Sequence, residues 1–164
     1  MSYSRDIFAA YTAPRKVMHR QLGQGIGENR ALAYLIIGSF LMFISQMPEV
    51  SRRAHLEGID LVNQAFNQFI GAVFLFPLLM YGVAAIVHLI ARAFGGKGNW
   101  LDARIATFWA ILAICPVMLF RGLVDGFIGA GPVLTIVNVA SAAVFFHIWI
   151  GSMIAAENPE DADV

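Results

Sequence analysis

The sequence predicts an all-α integral membrane protein, a bundle of four transmembrane helices, and three observations carry that prediction. Of its residues 59% are hydrophobic and 13% charged, with a mean hydropathy of +0.69, against about 45–50% and 25% in soluble domains. Four apolar runs, 31–47, 70–93, 104–121 and 133–156, each reach the roughly 17 residues a helix needs to cross a bilayer. No acidic residue lies inside any of them, and basic residues frame them. An aqueous surface cannot be built from this composition.

The 164 residues contain no polar segment long enough for a soluble domain, so we read one domain in three parts. These are an arm (1–30), the bundle (31–156) and an acidic tail (157–164), the last expected to be disordered. The net charge of +0 and scattered basic residues argue against nucleic acid as a partner. Cys115 is the single cysteine, which excludes an internal disulfide. The first 30 residues hold no apolar core of signal-peptide length, so no cleavable leader is expected.

In the arm, Ile7, Phe8, Tyr11, Val17, Met18 and Leu22 recur among Arg5, Arg15, Lys16, His19 and Arg20. That pattern predicts an amphipathic helix on the membrane surface, with Pro14 suited to a first-turn position. Gly23-Gln-Gly-Ile-Gly27 follows no strand and lacks a Gly-Lys-Ser/Thr ending, so it reads as a flexible joint, not a phosphate loop. The first span, Ala31 to Met47, is expected to end at Pro48. From Glu49 to Gln68 the apolar residues approximate one helical face, which predicts an interfacial helix. The second span, Ile70 to Ala93, is about 36 Å long at 1.5 Å per residue, ample for a core of about 30 Å, and Pro77 should kink it. The third span is interrupted at Pro116 and framed by Arg104 and Arg121. After a glycine-rich turn from Gly122 to Pro132, the fourth carries Asn138, Ser141 and His147 as its polar members.

Lys and Arg divide eight to three between the two sides: Arg5, Arg15, Lys16, Arg20, Arg30, Arg92, Lys97 and Arg104 against Arg52, Arg53 and Arg121. The excess predicts both termini in the cytoplasm of a bacterial inner-membrane protein.

Between the second and third spans lies Gly95-Gly-Lys-Gly98-Asn-Trp100. Gly95, Gly96 and Gly98 permit the positive φ of a tight reversal, Lys97 can meet carbonyls or lipid phosphate, and Trp100 suits the interfacial belt. This hinge with its flanks, Tyr81 to Arg92 before it and Ile114-Cys-Pro116 after it, together with the Pro14-to-Arg20 arm, resembles the Yip1 family of small polytopic membrane proteins in its bacterial form. The resemblance implies a helical bundle with a cytoplasmic N-terminus and a non-enzymatic role. Two departures stand: four spans are found where the family usually has five, and the Asp-Leu-Tyr-Gly-Pro motif of its eukaryotic branch is missing, so a vesicle-trafficking role is not carried over.

His88 and Arg92 share a helix face, and His147 lies at a comparable depth, so His88, Arg92, Asn138 and His147 are the candidate intramembrane polar or ligand residues. The plain reading is structural. Two histidines on different helices also allow a bis-histidine haem b, a cofactor that is the alternative to none. A small-solute transporter or channel is the third class, with Asn138 and His147 as pathway residues. Arg121 and Asp125, four apart, read as a local ion pair. There is no nucleophile with a base, and one cysteine with two histidines and no carboxylate makes a poor metal site. The predicted function is therefore a non-catalytic scaffold or accessory subunit that packs against membrane lipid, other membrane proteins or itself. Phe145, Phe146 and Trp149 beside Gly151 and Ala155 form the predicted helix-contact face.

Overall fold

In the computed structural model, which describes residues 3–158, the chain is helical throughout and no strand occurs among those residues. The arm is two short helices, α1 (Tyr3–Ala10) and α2 (Pro14–Leu22). The spans are α3 (Glu28–Glu57), then α4 (Leu61–Ile70) joined to α5 (Phe76–Ala93) by a π-helical turn (Gly71–Leu75), then α6 (Trp100–Phe127) and α7 (Pro132–Glu157). Among the described residues, four helices are long and apolar enough to cross a membrane. The protein is a multi-pass membrane bundle.

Helix α6 is its axis. Two thirds (67%) of its most apolar stretch is buried, against 11% for α5 and for α7, and every residue from Ile105 to Cys115 is covered. An all-round apolar helix of this kind belongs at the centre of a bundle, with lipid left to its neighbours. Contacts at Glu28–Arg104, Gly38–Ile111, Ser45–Gly122 and Pro48–Gly126 advance in the same direction along both chains, so α3 lies parallel to α6. Helices α5 and α7 run antiparallel to it: the Tyr81 ring meets Phe108 while His88 meets Trp100, and Trp149 meets Thr107 while Asn138 meets Arg121.

The α3–α6 seam is made from small residues. A Cβ on Gly122 would lie 2.7 Å from the carbonyl carbon of Ser45, and one on Gly126 would lie 2.8 Å from that of Pro48. Gly122-Leu-Val-Asp-Gly126 is thus a GxxxG surface used within the chain. It also corrects the first boundary. Helix α3 runs straight through Pro48, because the ring loses only one backbone bond and packs on the bare backbone of Gly126.

The stop comes at Gly58, whose φ of 67° makes the left-handed cap that a side chain resists. The expected interfacial helix from Glu49 to Gln68 is therefore divided. Its first half completes α3, and its second half, capped by the Asp60 side chain at Val62 N–H, opens the 33-residue helix Leu61–Ala93. At Pro77 the chain relieves the missing N–H with the π-helical turn just before it.

Pro14 does open a helix, at its first position. The arm, however, does not float on the surface. Tyr11 donates from its hydroxyl to the carbonyl of Ala113 at 2.8 Å, 13 residues or about 20 Å along α6 from Trp100. Ala10, Val17 and Met18 are buried, and α2 lies against α7. Arg20 and Asp6, 2.5 Å apart, tie the two arm helices together. The arm is a re-entrant wedge whose tip reaches well into the bundle.

Candidate functional site

Helices α5 and α7 are joined near the arm side by a hydrogen bond between His88 Nδ1 and Glu157 Oε1 at 2.7 Å. Farther along α6 they leave a cavity of about 350 Å³ between them, within the range of about 300–1,000 Å³ usual for ligand sites. Its floor is Ile111, Ile114 and Met118 of α6; Phe76 and Met80 of α5 form one wall, Ala142 and Phe145 of α7 the other, and Met42 of α3 closes it. Three methionines give it an adaptable surface. Phe76 is the first residue after the π-helical turn, so the departure from regular helix sets one wall of the cleft.

One end of the cleft is polar. Arg121 donates from Nε to Asn138 Oδ1 at 2.6 Å and from Nη2 to Asp125 Oδ2 at 3.3 Å. The first bond fixes the amide: its oxygen faces the guanidinium, so its NH₂ is the group left to donate. Ser141, one turn from Asn138, is buried at 5% exposure, and its hydroxyl has no partner among the described residues. A buried hydroxyl without a partner costs about 1–3 kcal/mol. From Arg121 to Ile111 the cleft follows ten residues of α6, about 15 Å.

A second cluster holds the arm side shut. Lys97 donates its backbone N–H to Glu157 O at 2.7 Å, capping α7. Gly95 turns at φ 92°, and a Cβ on Gly96 would stand 2.6 Å from Glu157 Oε2. The hinge glycines are thus needed for close approach to α7 as well as for the turn. His88 is fully buried, with the Trp100 ring centroid 4.5 Å from its own. Glu157 belongs to this cluster as the last residue of α7, 5% exposed. It is not the start of a solvated tail; residues 159–164 of that expected tail lie outside the described residues.

The remaining candidates separate. Arg92 is exposed while His88 is buried, so they form no pair. His147 is exposed beside the arm, in a groove of about 460 Å³ with Pro14, Arg15, Lys16 and Gly151. It stands ten residues, about 15 Å, along α7 from the Glu157 that His88 engages, and the structure does not bring the two histidines to one point. On the predicted contact face, Phe145 and Trp149 stack at 5.8 Å, and Phe146 is exposed. Trp149 donates to Thr107 Oγ1 at 3.3 Å. Gly151 meets the chain's own Pro14, 2.6 Å from where its Cβ would be, and Ala155 is buried. Gly151 is taken up by the arm and Ala155 is covered, and only the aromatic edge of that face remains open.

Family models, curated proteins and solved structures were compared with the chain, and none matches.

Proposed function

We propose that the protein is a non-catalytic component of the bacterial inner membrane, a scaffold or accessory subunit that works by lateral contact with lipid, partner proteins or a second copy. The observation that carries this reading is the pair of open apolar faces, on α5 and on α7 as far as Phe146, flanking a cleft on α6. Leu78, Leu79, Ile86 and Leu89 on α5 and Ile136, Val139 and Phe146 on α7 are all exposed. Arg121, Asn138 and Asp125 in the cleft, and His88 with Glu157 beyond it, are bonded in ways that orient and pack, and among the described residues no nucleophile is held against a base. The Yip1 resemblance supports the same role, and the Lys/Arg count supports a cytoplasmic arm, 94–99 hinge and end of α7.

Photo-crosslinking residues at Leu79 and Phe146 test the contact role in native membranes. They should trap one species of reproducible mass, which a probe at buried Ala113 does not. Loss of any such adduct, together with solute flux in vesicles that depends on Asn138, would replace the scaffold by a transporter. In a Cys115-free variant, Ser4→Cys and Lys97→Cys should be shielded from an impermeant thiol reagent and His55→Cys labelled. The reverse pattern would invert the orientation.

A further inference from the structure

We infer that the cleft between α5 and α7 is a binding site for one acyl chain of a glycerophospholipid from the leaflet opposite the arm, with the lipid phosphate on Arg121. The inference rests on the reading of this face as the protein's lateral contact surface and names what occupies its groove.

Size selects the class of occupant. A 15 Å length of α-helix about 10 Å across displaces roughly 1,200 Å³, well beyond what the cavity holds. A partner helix can lie over the cleft but cannot enter it. A single hydrocarbon chain is thin enough. The extent of the cleft matches as well: about 15 Å from Arg121 to Ile111 is one leaflet's share of a hydrocarbon core of about 30 Å.

Polarity then fixes which way the chain points. The walls from Ile111 to Met118 are apolar, and every polar group of the cleft lies at its Arg121 end. A lipid entering from that leaflet has its groups in the same order: phosphate outermost, ester carbonyls next, hydrocarbon inside. Arg121 spends Nε on Asn138 and Nη2 on Asp125, and Nη1 has no partner among the described residues. Phosphate would meet it as guanidinium meets phosphate elsewhere, through charge-assisted N–H donors. Asp125 offsets much of the arginine's charge, so the fit is to the phosphate group and not to a lipid of high net negative charge. One turn deeper than Asn138, the Ser141 hydroxyl is a donor without an acceptor, at the level where an ester carbonyl supplies one, and the Asn138 NH₂ beside Arg121 is left to donate as well. That accounts for a buried polar atom that the protein itself leaves unsatisfied.

The test uses the full-length protein in nanodiscs with two probes that carry a diazirine on the same acyl chain: phosphatidylglycerol, and diacylglycerol, which lacks the phosphate. After irradiation, the phosphatidylglycerol adducts should concentrate on Met80, Met118 and Phe145, with few on the more exposed Leu78 and Ile136. Ser141→Leu, which fills the cleft, should reduce those cleft adducts at least tenfold. Arg121→Gln should reduce the phospholipid adducts about fivefold, the worth of one cation near a lipid surface, and leave those of diacylglycerol unchanged. Adducts spread over all exposed faces, or cleft adducts that survive Ser141→Leu, would overturn the site. Equal labelling by diacylglycerol in the unmodified protein would overturn the phosphate. The crosslinks at Leu79 and Phe146 report on the scaffold reading separately, since both positions lie outside the cleft lining.

Discussion

Replacing Gly122 by alanine adds one methyl group where two parallel helices touch backbone to backbone. The new Cβ would lie 2.7 Å from the Ser45 carbonyl carbon and closer still to its oxygen, whereas ordinary contact begins near 3.4 Å. Because the obstacle is main chain, no rotamer change relieves it, and α3 must move off α6 by more than the 0.7 Å that the carbonyl carbon alone demands. Overpacking of this kind costs up to about 3 kcal/mol, and alanine returns about 1 kcal/mol of helix propensity over glycine. The net loss is about 2 kcal/mol, or roughly 4–8 °C in melting temperature for a chain of this size. Gly82 in α5 is the internal control. Nothing lies within 4 Å of its would-be Cβ, so Gly82→Ala should keep the propensity gain and melt about 2–4 °C higher. Thermal unfolding of both variants in one detergent measures the contrast. A second readout comes from Cys115, 1% exposed, whose Sγ lies 3.7 Å from Gly38 O across the same seam. Gly122→Ala should speed its reaction with a membrane-permeant thiol reagent. If both variants shift in the same direction and Cys115 stays equally protected, the seam does not hold α3 as described.

Two further outcomes concern the arm side. Glu157→Ala removes the acceptor from buried His88 and leaves that ring unsatisfied, a loss of about 1–3 kcal/mol; the variant should melt lower and be cut faster by protease in the 94–99 hinge. Gly151→Leu would strike Pro14 and should lift the arm, making a cysteine at Met18 reactive while the four spans remain inserted; continued protection at Met18 would refute the wedge.

The spans were legible because each is a property of one stretch of chain: apolar length, framing cations and a turn. Pro14 and the hinge glycines were legible for the same reason. What escaped depends on residues far apart. Pro48 reads locally as a stop, and only Gly126, on another helix, lets it pass. Glu157 heads an acidic run and reads as tail, until His88 is placed beside it. Asn138 was a candidate on polarity alone, but its bond from Arg121 needs the antiparallel register of α6 and α7, and Arg121 already had a plausible local partner in Asp125. The wedge was misplaced on the surface because amphipathicity shows that a helix has an apolar face without showing what covers it. A signal for the first of these was present: Gly122-x-x-x-Gly126 is a packing motif by spacing.

The wedge also sets an order of events during biosynthesis. Its helices leave the ribosome before α3, yet the surface they dock on includes α7, which leaves last of the described helices: Pro14 waits for Gly151, and Tyr11 waits for the middle of α6. His88 is likewise without its carboxylate until Glu157 has been added. Until then the nascent chain holds an undocked basic arm and a polar imidazole without its carboxylate. Closure of the bundle is then a single late step that joins its earliest and latest parts, with the slow search that such long-range contacts impose.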